Sequence, residues 1–393
     1  MLYVGIDVAS EKHDCCILDQ NKNILSSFSF PNSRQGFDLF LNTVSRFDTL
    51  ENTWVGLEAT GIYGTNLTSF LRCNGIQVTT LNPLLLKNNL KGTTLRKTKT
   101  DKTDAKHIAS FLMQEAPQPD LPASYHISEL KSLTRLRFHT VQDRAAAKVK
   151  AQGILQVLFP EYKLFFSDIF GVSATAVLCR YPSAKALSAA RIDTLEKIIH
   201  TASRGRLGKE KAIALKTAAK TSIGTYSAAM EIKLQMLFEN ISLFNKQILT
   251  LESKIKELMI QIDSPITTIP GIGWTLGAII LAEIGDIKRF STPSKLLSFA
   301  GSEPSVYQSG KFSAASGKMV KRGSPYLRWA LLQAARTVPR FSLTFGAYFN
   351  KKINEGKHYC VAASHCAKKL VRIIFALLNN NTSFSDNFCD LAS

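Results

Sequence analysis

Apolar and polar positions alternate differently along this chain, and the changes divide it. Tyr3–Val8 is nearly all apolar, as a strand covered on both faces should be. Cys15–Leu18 and Ile24–Phe30 follow as two further strands, with Gln20-Asn21-Lys22-Asn23 as the turn between them. From Gly36 to Phe47 the period lengthens, and Phe37, Leu39, Phe40, Leu41 and Val44 mark the apolar face of a helix. Thr53–Glu58 returns to the strand pattern. Ala59-Thr60-Gly61 then turns into a helix that stops near Asn74-Gly75, and Ile76–Leu81 is a fifth strand closed by Asn82-Pro83. The order ββ-β-α-β-α-β predicts a mixed sheet with helices against it.

Beyond this region the pattern is helical. A helix is expected from about Thr100, and Pro117-Gln118-Pro119 with Pro122 breaks the chain after it. Ser128–Phe159 reads as one long helix. Residues 160–225 are less regular and predict short helices joined by basic turns such as Arg204-Gly205-Arg206. In 226–262, Leu234, Leu237, Ile241, Phe244, Ile248, Leu251, Ile255 and Leu258 recur in steps of three and four, a heptad seam that favours a coiled coil. Such a seam suits a hairpin with Ser128–Phe159 and a zipper between two copies equally well. Next come Ile269-Pro270-Gly271-Ile272-Gly273, a turn of the kind that offers backbone N–H groups to phosphates, and the apolar helix Leu276–Ile284. A Gly- and Ser-rich stretch, Gly301–Gly323, precedes helices to about Leu378, and a poorly ordered tail is expected after them.

Composition sharpens this outline. At 393 residues the chain calls for two or three domains. The 49 Lys and Arg exceed the 30 Asp and Glu, giving a net charge of +19, which points to a polyanionic partner. No run approaches the ~18 apolar residues of a membrane span, and the first residues lack the features of a signal peptide. Seven scattered cysteines fit a reducing cytoplasm. His358, Cys360, His365 and Cys366 cluster, but in no standard zinc spacing and within a helical pattern, so they read as packing.

Four acids stand out against the basic background. Asp7 and Glu58 each end an apolar strand, and Asp101 and Asp104 share one helix face inside a stretch that includes Lys87, Lys91, Arg96, Lys97, Lys99, Lys102 and Lys106. Each has an ordinary reading. Asp7 can cap a turn, Asp101 and Asp104 can be a helix cap and an early-turn acid, and any of them can simply offset lysines. Glu58 is less ordinary, because Glu is disfavoured in strands. Convergent carboxylates repel unless cations lie among them. Mg²⁺ is the natural partner and Mn²⁺ a second candidate, since both prefer oxygen ligands. Two such ions about 3.5–4 Å apart can activate an attacking oxygen and stabilise a leaving one on phosphorus. With this order of elements the set favours an RNase H-like nuclease core.

The motifs Gly5-Ile6-Asp7-Val8, Glu58-Ala59-Thr60-Gly61 and Lys99-Thr100-Asp101-Lys102-Thr103-Asp104-Ala105 resemble the N-terminal motifs of the DEDD transposases encoded by insertion sequences of the one-ten family, with the Piv-type DNA invertases as relatives. The family's C-terminal signature is matched by Ile269-Pro270-Gly271-Ile272-Gly273, Phe299-Ala300-Gly301 with Pro304, Gln308-Ser309-Gly310, and Lys321-Arg322-Gly323 with Leu327-Arg328. Ser302 departs from the pattern, which usually has an apolar residue there. The resemblance spans nearly the whole chain in the right order.

It implies an α/β, RNase H-like (RuvC-like) domain over 1–120 that binds Mg²⁺ through Asp7, Glu58, Asp101 and Asp104. It further implies a helical, coiled-coil linking domain over 121–262 and a mainly α transposase domain over 263–380, with 381–393 as a disordered tail. Ser309 would attack DNA phosphorus and form a phosphoserine link. Donor and target DNA would be chosen with a structured noncoding guide RNA, and a homo-oligomer (dimer or tetramer) would assemble the site in a bacterial, nucleoid-associated setting. Lys97, Lys99, Lys102, Lys311, Lys318, Lys321, Arg322 and Arg328 are the expected nucleic-acid contacts. From the residues alone Ser309 is one serine among Ser302, Ser305, Ser313, Ser316 and Ser324, distinguished by Gly310 beside it. The competing readings are a junction-resolving nuclease in which the carboxylates activate water, a DNA invertase without an RNA guide, a nucleic-acid-binding scaffold, and a sugar-kinase-like ATPase. The last lacks convincing glycine-rich phosphate loops.

Overall fold

The computed structural model describes residues 1–59, 61–93, 100–117, 125–303, 308–309, 312–313 and 319–386. Two compact units divide the chain, Met1–Pro122 and Ala123–Ser393.

In the first unit β1 (Leu2–Val8), β2 (Lys12–Leu18) and β3 (Ile24–Pro31) form an antiparallel meander. It is followed by α1 (Arg34–Val44), β4 (Thr53–Glu58), α2 (Thr65–Cys73), β5 (Gln77–Leu81), α3 (Pro83–Thr93) and α4 (Asp101–Glu115). The sheet order is β3-β2-β1-β4-β5, with β4 parallel to both β1 and β5. The predicted mixed sheet is therefore present, with β1 at its centre. One face carries Val4, Ile6 and Val8 against Phe37, Phe40, Leu67 and Leu71 of α1 and α2. The other face carries Cys16 and Leu18 against Ala105 and Ala109 of α4.

Two details differ from expectation. β2 begins at Lys12, because its polar residues are accommodated inside: Asp14 accepts from the Ser29 hydroxyl at 2.5 Å, and the His13 ring lies against Phe30 and Phe37. The helix α3 is additional to the predicted elements, although Pro83 is well suited to a first helical position.

The second unit is built on two long helices, α5 (Tyr125–Leu158) and α10 (Ala228–Ile262). They run antiparallel: Arg137 Nε donates to Glu252 at 2.9 Å and Arg144 Nη1 to Asn245 at 2.8 Å, so ascending numbers meet descending ones. Leu234, Ile241, Ile248 and Ile255 are buried at seven-residue steps, while Leu237, Phe244, Leu251 and Leu258 stay half-buried. The seam is thus used within one chain, against α5.

Each end of the pair enters its own core. At the tip, α6 (Val172–Arg180), α7 (Ala184–Ser188), α8 (Ile192–Ser203) and α9 (Lys209–Lys220) gather around Leu155, Tyr162, Leu195, Leu215 and Phe238. At the base, α11 (Trp274–Ile284), α12 (Pro293–Phe299), α13 (Pro325–Thr337), α14 (Leu343–Asn354) and α15 (Tyr359–Asn380) close around Ile255, Ile280, Leu331 and Leu370. A short hairpin between α12 and α13 pairs β6 (Gln308–Ser309) with β7 (Phe312–Ser313).

The helical middle and the C-terminal part therefore share one unit, since α5 and α10 supply residues to both cores. The tail is tied down as far as Asp386: Phe384 N–H donates to Thr268 at 2.8 Å, and Asp386 accepts from the Ser342 hydroxyl. Among the described residues, no helix is long and apolar enough to cross a membrane.

Candidate metal and nucleic-acid site

Two glycines place the acids. Gly5 and Gly56 are register partners on the parallel strands β1 and β4. A Cβ on Gly5 would lie 2.0 Å from the Ala105 carbonyl oxygen and 2.4 Å from Ala109 N, and one on Gly56 would lie 3.2 Å from Ile108. Both positions therefore face α4, and the missing side chains let the helix backbone rest on the sheet. Two residues further along each strand, on the same face, stand Asp7 and Glu58. α4 begins at this end of the sheet. Its first turn carries Asp101 and Asp104, and Thr100 and Thr103 form a reciprocal capping box that fixes where the helix starts.

The electrostatics report the convergence. Burial pushes the half-buried Asp7 carboxyl up to about 6, and the charges of Asp104, Asp101, Glu58 and Asp14 add to the effect in that order. Asp14 was missed in the sequence. It is the register partner of Asp7 on β2, shares its face, and is held by Ser29 and by Lys12 Nζ at 3.4 Å. The signal was available in the β1–β2 register but not in local composition. Even so, among the described residues no three Asp, Glu, His or Cys side chains are drawn into a set that could hold one metal ion. The carboxylates lie within electrostatic reach of Asp7 without forming a closed ligand cage.

All-oxygen donors around a carboxyl that already resists ionisation suit a hard divalent cation, which would relieve that repulsion. Asp7, Glu58, Asp101 and Asp104 are the candidates to hold it. Lys102 is exposed on α4 beside them, while Lys97 and Lys99 lie outside the described residues.

In the second unit, Ser309 pairs with Phe312 through its backbone. Lys311 and Lys318 lie outside the described residues. The two ends of this segment are joined by backbone bonds: Val320 N–H donates to Glu303 O at 2.9 Å, Lys321 N–H to Gly301 O at 3.1 Å, and Ser324 N–H to Phe299 O at 2.9 Å. Gly301 and Gly323 permit this crossing, since a Cβ on Gly323 would meet Phe299 O at 2.0 Å. Arg328, expected on nucleic acid, donates through Nη1 to the carbonyls of Ala300 and Lys321, both at 3.2 Å, and so braces the same clasp. Lys321 and Arg322 are exposed beside it.

Below the clasp, Ser324 caps α13 and donates to Glu283 at 2.8 Å. Glu283 is 1% exposed inside the apolar helix α11 and takes both nitrogens of an Arg135 fork, at 2.7 and 3.0 Å. Burial works against its ionisation, but Arg135, Lys131 and Ser324 outweigh burial and hold the carboxyl below its ordinary range. Sequence inspection passed over Glu283, although one acid within so apolar a helix was a signal.

The Pro-Gly-x-Gly turn meets the base core, with Gly271 in a left-handed conformation against Val338. His358 caps α15, accepting from Cys360 N–H at 3.2 Å, and Cys366 is buried with its thiol pushed up to about 11, so this cluster serves packing and capping.

The chain thus joins an α/β domain, with acids gathered at one end of a mixed sheet, to a basic helical unit. Two family models match the chain, one described as transposase, of the DEDD IS110 type, over residues 4–160, and one described as transposase IS116/IS110/IS902 family over 263–350. The chain belongs to this family of transposases and is a DNA transposase/recombinase. The "Insertion element IS116 uncharacterized 44.8 kDa protein" of Streptomyces clavuligerus is 22% identical over 98% of this chain and 96% of its own. The "Pilin gene-inverting protein" of Moraxella lacunata is 24% identical over 97% of each. The "Mini-circle putative transposase for IS117" of Streptomyces coelicolor is 22% identical over 98% of this chain and 95% of its own.

Proposed function

We propose that the chain cuts and rejoins DNA by serine attack assisted by divalent metal. The observation that carries this is the electrostatic convergence of Glu58, Asp101 and Asp104 on Asp7 at the α4 face of the mixed sheet, which we read as RNase H-like and RuvC-like. These four carboxylates would hold Mg²⁺, with Mn²⁺ as a substitute. The bound metal would lower the charge barrier at phosphorus. Ser309 Oγ forms a bond to phosphorus and gives up its proton, while the bond from phosphorus to the leaving strand oxygen breaks and that oxygen takes up a proton. Attack by the hydroxyl of a second strand reverses these changes and frees the serine, so the bond energy is conserved through the exchange.

Lys97, Lys99, Lys102, Lys311, Lys318, Lys321 and Arg322 would line the path of the phosphate backbone. Arg328 contributes by holding the clasp. A structured noncoding RNA would select donor and target DNA, and a dimer or tetramer would bring carboxylates and serine together. A second reading is inversion of a DNA segment without a guide RNA; the pilin gene-inverting relative, which matches over 97% of the chain, favours the inversion part of it.

The test is to trap a protein–DNA adduct on the element's own ends with Mg²⁺. The adduct should vanish in Ser309→Ala and in Asp7→Ala. Cutting by Ser309→Ala, with no adduct in the wild type, would select a water-activating nuclease instead.

A further inference from the structure

The tip of the second unit takes no part in the chemistry above, yet it is strongly basic. Residues 160–226 carry eleven Lys and Arg against five Asp and Glu. Between α6 and α8 lies an open groove of about 440 Å³, whose lining includes Ala176 and Arg180 from α6 and Thr194, Lys197, Thr201 and Ala202 from α8.

The α8 residues recur at steps of three and four and so form one stripe. Asp193 and Glu196, the acids of this helix, are not among the residues lining the groove, although Asp193 stands one turn before Lys197. Arg180 and Lys197 are exposed, and neither makes an ion pair or side-chain hydrogen bond among the described residues. Two exposed cations and two hydroxyls thus share one concavity, an arrangement complementary to an anion.

We propose that the α6–α8 groove is a phosphodiester site. In it the Arg180 guanidinium and the Lys197 ammonium hold one phosphate of a nucleic-acid strand, and the Thr194 and Thr201 hydroxyls donate to its oxygens. The alanines keep the floor shallow, so that a continuous strand can lie across it. The lining holds no aromatic side chain and no amide, so it grips a backbone and does not read bases. Ile198 offers an apolar patch for the adjoining sugar. The residues of this site are separate from Ser309 and the carboxylates, and its hold on nucleic acid does not depend on them.

Fluorescence anisotropy across a salt series tests it, using the full chain with a labelled DNA duplex and, separately, a labelled RNA hairpin, both of unrelated sequence. Arg180→Ala/Lys197→Ala should weaken binding about tenfold near 0.1 M salt and make the salt slope shallower by about one. Thr201→Glu, which puts a carboxylate into the groove, should do the same. Lys209→Ala/Lys220→Ala removes equal charge from exposed sites on α9 and should change binding less than about threefold with the slope kept. A loss confined to the duplex assigns the groove to DNA, a loss confined to the hairpin assigns it to RNA, and a loss in both assigns it to any phosphodiester backbone. Equal losses for the two double variants, or an unchanged slope with both probes, overturn the proposal.

Discussion

Replacing Gly5 by alanine should pull the site apart from beneath. The added Cβ would sit 2.0 Å from Ala105 O, 2.4 Å from Ala109 N and 3.0 Å from Ile108 Cβ. A carbon and a carbonyl oxygen make contact at roughly 3.3 Å or more, so α4 has to retreat from β1 by over about 1 Å. Two of the three obstacles are helix backbone, which cannot swing aside as a side chain can. Overpacked cores lose about 1–3 kcal/mol, and a backbone clash belongs at the upper end, about 3 kcal/mol. Because α4 carries Asp101 and Asp104, the retreat also draws those carboxylates away from Asp7, and DNA cleavage should fall along with stability.

Urea denaturation of the full chain measures the first effect, with Gly153→Ala as the matched control. Gly153 lies within α5, and a Cβ added there would meet nothing within 4 Å, so alanine should stabilise by roughly 0.5–1 kcal/mol. Gly5→Ala unfolding within about 0.5 kcal/mol of wild type, with full cleavage activity, would refute the idea that this glycine sets the helix against the strand.

Two other perturbations follow from the charged groups. Asp7 has a folded pKa of about 6 against an ordinary 3.8, so ionising it opposes folding; the penalty is absent below about pH 4, grows to pH 6 and is complete above it. In EDTA, Asp7→Asn should therefore stabilise the protein by about 1–2 kcal/mol at pH 8, a value discounted for solvent screening of a half-exposed group, and by little at pH 4. The same gain at both pH values would contradict it. Glu283 is the opposite case, a carboxyl held below its ordinary 4.5; its contribution is fully present above that value and is lost as pH falls through the folded pKa. Glu283→Gln should cost about 3 kcal/mol at pH 7, and this gap should narrow below about pH 4. A gap that stays constant through acid would show that Arg135 and Ser324 do not depend on the charge.

The strands were legible because their residues are covered on both faces, leaving continuous apolar runs that local inspection detects. Tyr3–Val8, Thr53–Glu58 and Ile76–Leu81 each meet an observed strand within a residue or so. β2 was cut short because a run holding Lys12, His13 and Asp14 looks polar, and only its cross-strand partners explain those residues. The acids of the N-terminal set were found by residue type and spacing. Asp14 and Glu283 were not, because their significance lies in contacts across the chain: Asp14 opposes Asp7 in a register, and Glu283 meets an arginine on α5, 148 positions away. The heptad seam was plain, but its partner was not, since periodicity shows which face is apolar and nothing about what covers it.

One piece of sequence logic emerges only with the sheet in view. Gly5-Ile6-Asp7 and Gly56-Leu57-Glu58 are the same device, glycine, large apolar residue, acid, on neighbouring parallel strands in register. In each, the middle residue faces α1 and α2 and is buried there, while the outer two face α4. Glycine admits the helix and the acid stands just past its end. The helix itself then opens with two acids in place of the lysines that surround it in sequence. A fold seeking stability alone would put an apolar residue or a lysine at one of these places, because every added carboxylate makes Asp7 harder to ionise. Close helix–strand packing and mutual repulsion at the same sheet end therefore argue that a cation completes the arrangement. They also argue that Asp14, held by Lys12 and Ser29 on the neighbouring strand, tunes Asp7 from the other side.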